Sequence, residues 1–218
     1  MEKFKTILEK NTTTEIIEKK SRFIANLFYV ETPQEAEDKI KQVKKKYYDA
    51  KHNCFAYITL NGNEIQKKCS DDGEPSGTAG APMLEILEKQ SIYNVVVIVT
   101  RYFGGTLLGT GGLIRAYTKS TQEGIKESMV IEKCLGVMIS LTCDYTTSGK
   151  IQYLTATEHI PVLDTVYTDN VTFEMIVPVE EVGSVEKKFM EASMGKAVLE
   201  KGEETYYAEI DGKISYDL

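Results

Sequence analysis

The sequence contains little arginine, little histidine and no long apolar run. Three arginines stand against 23 lysines, and only two histidines occur in 218 residues. No segment approaches the ~18 consecutive apolar residues of a membrane-spanning helix, so we expect no membrane partner. Residues 1–15 carry scattered charges and no apolar core, so we expect no signal peptide and a cytoplasmic location.

The cysteines are also few, and they are widely spaced without any CxxC pair. They are Cys54, Cys69, Cys134 and Cys143. Zinc sites need clustered Cys and His ligands, and only His52 lies close to a cysteine in the sequence. We therefore expect reduced thiols, no bound metal and no cofactor.

The net charge of −7 is unevenly distributed along the chain. Residues 1–134 contain 20 Lys and Arg against 18 Asp and Glu, a net of +2, whereas residues 135–218 contain 6 against 15, a net of −9. This difference predicts two domains, 1–134 and 135–218, with different surfaces. The plainer interpretation of the second half is that an acidic surface keeps a protein in solution.

The first half alternates strand and helix patterns. Residues 22–30 are apolar and aromatic enough for a strand, and residues 94–100 form a β-branched run typical of a strand buried on both faces. After the first strand, Thr32 suits a helix N-cap and Pro33 suits the first helical position. A later helix over residues 113–128 is predicted to bury a stripe of four side chains: Ile114, Tyr117, Thr121 and Ile125.

Shorter elements lie between these segments. Residues 54–60, CFAYITL, predict a strand, and the polar residues 61–64, NGNE, predict a turn after it. Residues 81–90, APMLEILEKQ, predict a short helix with Pro82 in its first turn.

The second half has a regular order of patterns. The strand LGVMISLTC is followed by the helix YTTSGKIQYLTATE, and two strands follow that are joined by the tight-turn residues Asp169 and Asn170. The helix EEVGSVEKKFMEAS and the strand segment AVLEKGEETYYAEI complete the order. This β-α-β-β-α-β order predicts a ferredoxin-like domain, so the chain as a whole is expected to be α+β.

Two glycine-bearing loops carry the candidate chemistry. Residues 71–80, DDGEPSGTAG, hold three carboxylates and three glycines, and residues 101–112, RYFGGTLLGTGG, lead from a buried strand into a helix. The amides that open a helix favour anions, and glycines let a ligand approach the backbone. The second loop matches neither GxxxxGK[ST] nor GxGxxG, so it is a poor nucleotide signature.

The three arginines are expected to occupy positions where geometry matters, because guanidinium binds carboxylate or phosphate bidentately. They are Arg22, Arg101 and Arg115. They bind either an external anion or the chain's own acids in loop 71–80. We expect that loop to lie beside loop 101–112, with its carboxylates positioning Arg101 or Arg115. Tyr102 and Phe103 could stack on bases, and Tyr102 is expected to be the more exposed of the two.

An enzymatic alternative rests on one histidine. If the chain is an enzyme, His52 with the carboxylates of loop 71–80 is the acid–base set: His52, Asp71, Asp72 and Glu74. A lone histidine before a strand is more often a hydrogen-bonded structural residue. Cys54, two residues along, is expected to be an inert core thiol.

Several motifs in order resemble those of the YigZ/IMPACT family. They are SRF, HNCFAY, DDGEPSGTAG followed by AP, VTRYFGG and LGTGGLIRAY, and they cover roughly residues 15–128. Two departures occur: AKHNC stands where the family usually has Thr before the His, and GTLLGTGG lacks the usual Lys before Leu.

The resemblance implies a fold. It implies a first domain similar to the second domain of a ribosomal small-subunit protein and to domain IV of elongation factor G. It implies a ferredoxin-like second domain similar to domain V of that factor. Eukaryotic relatives act in translational control by binding the large activator of the amino-acid-starvation kinase, whereas bacterial members have no settled activity. A fold analogy licenses only a hypothesis about function.

Three functions remain open from the sequence. The first is a non-enzymatic, translation-associated factor that binds RNA or the ribosome through the two loops. The second is a regulator that binds a protein partner, and the third is an enzyme acting on a phosphorylated small molecule. The candidate binding residues are Arg22, Ser76, Thr78, Arg101, Tyr102, Gly104, Gly105, Gly111, Gly112 and Arg115.

Overall fold

The chain folds into two compact units. A computed structural model describes residues 1–8, 11–62 and 64–216. Residues 4–131 form the N-terminal unit, and residues 132–218 with residues 1–3 form the C-terminal unit. The elements run in the order β1 (Lys3–Ile7), β2 (Thr12–Glu18), β3 (Ser21–Tyr29), α1 (Pro33–Lys46), β4 (His52–Asn61), β5 (Glu64–Ser70), α2 (Gly80–Lys89), β6 (Val95–Tyr102), α3 (Thr110–Glu127), β7 (Val130–Cys143), α4 (Tyr145–Thr157), β8 (Val162–Tyr167), β9 (Val171–Pro178), α5 (Val182–Ala192), β10 (Val198–Ile210) and β11 (Lys213–Tyr216). The predicted two-domain α+β architecture is confirmed.

The N-terminal unit is built on an antiparallel sheet with helices on both faces. The strand order is β2-β3-β6-β4-β5, so β6 lies in the middle. Helices α2 and α3 pack on one face through side chains such as Met83 and Tyr117. Helix α1 covers the other face through Ala36, Ile40 and Val43. The expectation that residues 94–100 form a strand buried on both faces is confirmed, because residues 95–101 are all buried.

Helix α1 begins where its capping residues predict. The hydroxyl of Thr32 accepts a hydrogen bond from the amide of Glu35 at 3.2 Å, and Pro33 is the first helical residue. The carboxylate of Glu35 in turn accepts from the amide of Glu31 at 2.9 Å. The first bond satisfies an amide in the first turn of the helix, and the second ties that turn to the residue before the N-cap.

One predicted stripe is partly wrong. Ile114 is 39% exposed, whereas Tyr117, Thr121 and Ile125 are buried as expected. Leu113 occupies the inner position instead. The stripe repeats at intervals of three and four residues from Leu113, and Ile114 stands about 100° around the helix from it.

The sequence patterns missed four strands: β1, β2, β5 and β11. The sequences of β2 and β5, TTTEIIE and EIQKKCS, are polar because each forms an edge of the sheet. Edge strands bury little surface and carry charges that discourage pairing with other chains. The turn predicted over residues 61–64 includes Asn63, which lies outside the described residues.

The C-terminal unit has the predicted ferredoxin-like plan. The strand order is β11-β10-β7-β9-β8, and α4 and α5 pack on one face of this sheet through Ile151 and Phe189. The side chains of Ser140, Glu174 and Glu200 share the opposite face, because the three residues lie side by side in register. Among the described residues no helix is long and apolar enough to cross a membrane.

Two glycines of the C-terminal unit provide a matched stability test. A Cβ at Gly136 would lie 2.7 Å from Cγ1 of Ile176 and 2.8 Å from the Tyr207 ring, whereas a Cβ at Gly149 would meet nothing within 4 Å. We expect Gly136→Ala to lower the free energy of unfolding by about 1–3 kcal/mol through overpacking. Gly149→Ala, inside α4, should raise it by about 0.5–1 kcal/mol. Urea denaturation followed by circular dichroism measures both, and losses of equal size would contradict the packing argument.

Candidate functional site

A buried ion pair joins the acidic loop to the end of β6. Nη1 of Arg101 lies 2.7 Å from Oε1 of Glu74, and the two side chains are only 7% and 3% exposed. The hydroxyl of Tyr117, from α3, donates to the same carboxylate oxygen at 2.8 Å. The prediction that a carboxylate of loop 71–80 binds Arg101 is confirmed. The pair ties that loop to the strand that leads into loop 101–112.

Asp71 closes the acidic loop on itself. Its carboxylate accepts hydrogen bonds from the backbone amides of Gly77, Ala79 and Gly80 at 2.8, 2.9 and 2.9 Å. Burial alone would raise the pKa of Asp71, but the three amide donors outweigh it and hold the pKa below its ordinary value. The ionised carboxylate therefore serves as the internal acceptor around which the loop turns.

Asp72 is also satisfied within the unit. Its Oδ2 accepts from the amide of Asn53 at 2.7 Å, and its Oδ1 lies 2.7 Å from Nζ of Lys44. Each of the three carboxylates in loop 71–80 thus has its own donors. The argument that three crowded acids must be partly neutralised is confirmed.

The residues predicted as an acid–base set, if the chain is an enzyme, form hydrogen bonds within the unit. His52 places its Nδ1 2.9 Å from the backbone carbonyl oxygen of Asp72, rather than beside a carboxylate. The thiol of Cys54 lies 2.9 Å from the carbonyl oxygen of Asp71 and 3.3 Å from the hydroxyl of Tyr117. Burial raises the pKa of Cys54 to about 12, which keeps the thiol neutral as expected for an inert core cysteine.

Strand alternation separates Arg22 from Arg101. In the register of β3 with β6, Phe23 stands opposite Arg101, and Arg22 stands opposite Tyr102. Residues paired in this way share a face, and consecutive residues point to opposite faces. Arg22 and Tyr102 therefore lie on the α1 face of the sheet, whereas Arg101 lies on the α2–α3 face. The expectation of one site containing all of them is not met.

Arg22 and Tyr102 have partners of their own. Arg22 binds Glu15 bidentately, with Nε–Oε1 and Nη2–Oε2 distances of 2.8 and 2.9 Å, at the protein surface. Tyr102 donates to Asp49 at 2.7 Å, and this hydrogen bond raises the pKa of Tyr102 to about 12. The expectation that Tyr102 is more exposed than Phe103 is wrong. Phe103 is 55% exposed because it lies beyond the strand end, whereas Tyr102 is half-buried.

Loop 101–112 needs glycine at Gly104 because another backbone approaches it closely. A Cβ on Gly104 would lie 2.0 Å from the carbonyl group of Lys20. The amide of Gly104 donates to Oγ of Ser21 at 3.2 Å, which fixes the loop against the β2–β3 turn. The next residue, Gly105, is exposed and has a φ of +83°, a conformation that L side chains rarely adopt.

The start of α3 is open to solvent. Gly109 is its N-cap, with φ +71°, and it has no side chain to accept from the helix amides. The first helical bond runs from the amide of Leu113 to the carbonyl of Gly109. Within the described chain, the amides of Thr110, Gly111 and Gly112 have no acceptor, and no acid stands in the first turn. This geometry suits an external anion.

Arg115 stands beside this open helix start. It is exposed and forms no ion pair in the part of the chain that the structure describes, and its Nη1 lies 3.6 Å from the Cβ position of Gly111. In the neighbouring acidic loop, Ser76 is exposed, whereas Thr78 is buried with its hydroxyl donating to the carbonyl of Pro75 at 2.7 Å. Of the predicted binding residues, Arg115, Ser76, Gly105, Gly111 and Gly112 are accessible, and Arg101 and Thr78 are internal.

Sequence reasoning missed two contributors to the site. Tyr117 was predicted only as part of a core stripe, yet its hydroxyl joins Glu74 to Cys54. A buried tyrosine hydroxyl usually finds a partner, and that rule is the signal that could have pointed to it. The turn formed by Lys19 and Lys20, which supports Gly104, has no local signal. Across residues 1–8, 11–62 and 64–216, no group of His, Cys, Asp and Glu side chains could hold a metal ion.

Known proteins with similar sequences place the chain in a family. A model of the Impact N-terminal domain matches residues 19–125, and a model of a domain of unknown function, DUF1949, matches residues 141–196. The chain is 44% identical over 192 residues to IMPACT family member YvyE of Bacillus subtilis, which covers 88% of each protein. The chain belongs to the IMPACT family.

Two further relatives agree with this assignment. IMPACT family member YigZ of Escherichia coli is 32% identical over 182 residues, which covers 83% of this chain and 89% of YigZ. A crystal structure described only as that of a hypothetical protein matches with a TM-score of 0.58 and 30% identity, covering 91% of this chain and 97% of the other. The family resemblance drawn from the motifs of residues 15–128 is confirmed.

The buried ion pair of this IMPACT-family chain gives a stability prediction. Arg101→Met leaves the Glu74 carboxylate buried without its guanidinium, and should lower the free energy of unfolding by about 3–5 kcal/mol. The double variant Glu74→Gln with Arg101→Met should recover part of the loss, because no buried charge remains. Arg22→Met, which breaks an exposed pair, should lower it by at most about 1 kcal/mol. Similar losses for both single variants in urea denaturation would contradict the burial argument.

The carboxylate of Asp71 gives a pH-dependent prediction. Asp71→Asn should lower the free energy of unfolding by about 1–3 kcal/mol at pH 7, because the amide donors lose a charged acceptor. The folded pKa of Asp71 is depressed, so its contribution is complete above the unfolded pKa of about 3.9 and is lost as pH falls through the folded pKa. Denaturation curves between pH 7 and pH 3 should therefore show the two proteins converging in acid. A difference that stays constant to pH 3 would be the contrary result.

Proposed function

We propose that this chain is a non-enzymatic, translation-associated factor that binds the phosphate backbone of structured RNA through loop 101–112. The observation that carries the proposal is the uncapped start of α3, with Arg115 beside it forming no ion pair with any described residue. Unbonded helix amides and a free guanidinium are the donors that phosphate oxygens accept. The connection to translation follows from the resemblance to eukaryotic IMPACT relatives.

Nearby positive charge supports an RNA backbone as the anion. Lys19 and Lys20 are exposed, form no ion pair among the described residues, and form the turn against which Gly104 packs. Helix α1 ends in three consecutive lysines, 44–46, of which Lys44 pairs with Asp72, and Tyr48 beyond them is 86% exposed. Exposed aromatics near lysines can stack on unpaired bases. Contact with RNA must be local, because the whole chain carries a charge of −7.

The C-terminal unit is a poor alternative location for RNA. The face of its sheet that lies away from α4 and α5 carries Glu174 and Glu200. Ferredoxin-like domains of the RRM type bind RNA on an open sheet face that carries aromatic residues. Carboxylates at these positions would repel phosphate.

The internal bonding of the acid–base candidates supports a non-enzymatic role. Asp71, Asp72 and Glu74 each accept from donors of the chain itself, and His52 faces a backbone carbonyl. A general acid or base must reach a proton of the substrate, and these groups are already engaged.

A docking site for a protein partner is the second candidate function. Leu107 is 82% exposed and Phe103 is 55% exposed on the same loop, and Ile114 is 39% exposed on α3. Exposed apolar side chains on one loop are more typical of a protein interface than of a binding site for a phosphate backbone.

Filter binding of ribosomal RNA to the full chain tests the first function. Wild type should bind saturably, with affinity that falls steeply as salt rises. Arg115→Gln should weaken binding roughly tenfold and reduce the salt slope by about 1, since it removes one phosphate contact. Lys126→Gln, at the far end of α3, is the matched control and should bind as wild type does.

Two outcomes separate the candidate functions. The RNA proposal is wrong if wild type shows no saturable, salt-sensitive binding, or if Arg115→Gln and Lys126→Gln weaken it equally. Leu107→Ser should leave RNA binding intact. If instead Leu107→Ser abolishes capture of a protein from RNase-treated lysate while Arg115→Gln does not, the protein-docking function is favoured.

A further inference from the structure

The C-terminal unit contains a cleft that the proposed RNA site does not use. Its volume is about 500 Å³, within the size range of small-molecule sites. It lies where α4 ends, between the end of β10 and the start of β7. All of its lining residues belong to the C-terminal unit.

The cleft is strongly acidic. Four carboxylates line it: Glu132, Glu158, Glu181 and Glu209. Lys188 already neutralises Glu158 at 2.6 Å, and Lys3 is engaged with Glu180, outside the lining, at 3.1 Å. The other three lining carboxylates form no ion pair with any described residue. The carboxyl end of α4 adds the negative end of a helix dipole, because Glu158 is its C-cap.

Tyr207 supplies an unused polar group at the cleft. The residue is 9% exposed and lines the cleft, and its hydroxyl has no hydrogen-bond partner within the described structure. The hydroxyl itself is not enclosed, so it can accept a hydrogen bond from a ligand group in the cleft. Burial raises the pKa of Tyr207 and of the neighbouring Cys134 thiol, so both stay neutral and the carboxylates set the charge.

Apart from His159 and Cys134, the remaining lining is apolar. Ile160, Pro161, Pro178, Ala208 and Ile214 lie between the charged positions. A bare metal ion makes no use of such a surface, whereas a chain of methylene groups does. A linear alkyl polyamine presents ammonium groups separated by methylenes, and therefore fits both parts of the lining.

We propose that this cleft binds a small linear polyamine, with its ammonium groups on Glu181, Glu209 and the Tyr207 hydroxyl and its methylenes against Ile160 and Ile214. The ammonium groups donate hydrogen bonds to the carboxylates and to the phenolic oxygen. The cleft shares no residue with loop 101–112. The polyamine proposal is therefore tested independently of the RNA proposal.

Isothermal titration of spermidine into the full chain tests this assignment. Wild type should bind one equivalent, with affinity that decreases as salt is added. Tyr207→Phe removes only the hydroxyl and should weaken binding about tenfold. Glu209→Gln should weaken it several-fold, and Glu203→Gln, an equal charge change on β10 outside the cleft, should leave it unchanged.

Several results would overturn the assignment. A flat titration would show that spermidine does not bind, and an equal loss in Glu203→Gln and Glu209→Gln would mean that the acidic surface binds cations without a site. Displacement of spermidine by an equal concentration of Mg²⁺ would remove the role of the methylenes, and tighter binding of a Lys-rich peptide would assign the cleft to a protein segment. If Tyr207→Phe fails to keep the wild-type urea midpoint, the exposed Glu209→Gln variant decides the question.

Discussion

The ion pair between Arg101 and Glu74 is the interaction on which the N-terminal unit's functional region depends. Both side chains are buried, and a buried charge is strongly unfavourable unless a partner neutralises it. The guanidinium carbon also lies 5.5 Å from the ring centroid of Phe23 and 5.7 Å from that of Phe103. Because Tyr117 donates to the same carboxylate, strand β6, helix α3 and loop 71–80 are held together at one point.

This arrangement divides the polar groups of the region into two classes. The acids of loop 71–80 are used internally: Asp71 shapes the loop, Asp72 binds the start of β4 and the end of α1, and Glu74 holds Arg101. The groups left for an external ligand are donors, namely the open amides of α3 and the guanidinium of Arg115. The acids of loop 71–80 are therefore bound within the unit, and the accessible polar groups beside loop 101–112 are hydrogen-bond donors.

The C-terminal unit shows the opposite electrostatic character. Its sheet carries Glu174 and Glu200 on the face away from the helices, and four carboxylates line its cleft together with Tyr207. These features hold part of the acidic excess of residues 135–218, whose net charge is −9. The two proposals assign ligands of opposite sign to the two units, so the net charge of the whole chain is a poor guide to either.

Local patterns in the sequence determined much of the fold. The capping residues of α1, the β-branched run of β6 and the β-α-β-β-α-β order each depend on residues near one another in the chain, and each was predicted correctly. The strands β2 and β5 were missed because edge strands bury little, so their sequences lack the apolar signal. The family could be recognised from motifs spread over residues 15–128.

Only the tertiary structure determined which of the predicted residues lie together at the candidate site. The sequence marked Arg22, Arg101 and Arg115 as special, and only strand register decided that Arg22 and Arg101 face opposite sides of one sheet. Only packing decided that Arg101 is enclosed with Glu74 while Arg115 remains free at the surface. The pairing of charges far apart in the chain depends on distances and burial that folding alone creates, so residue type and spacing could name the candidates but could not assign their partners.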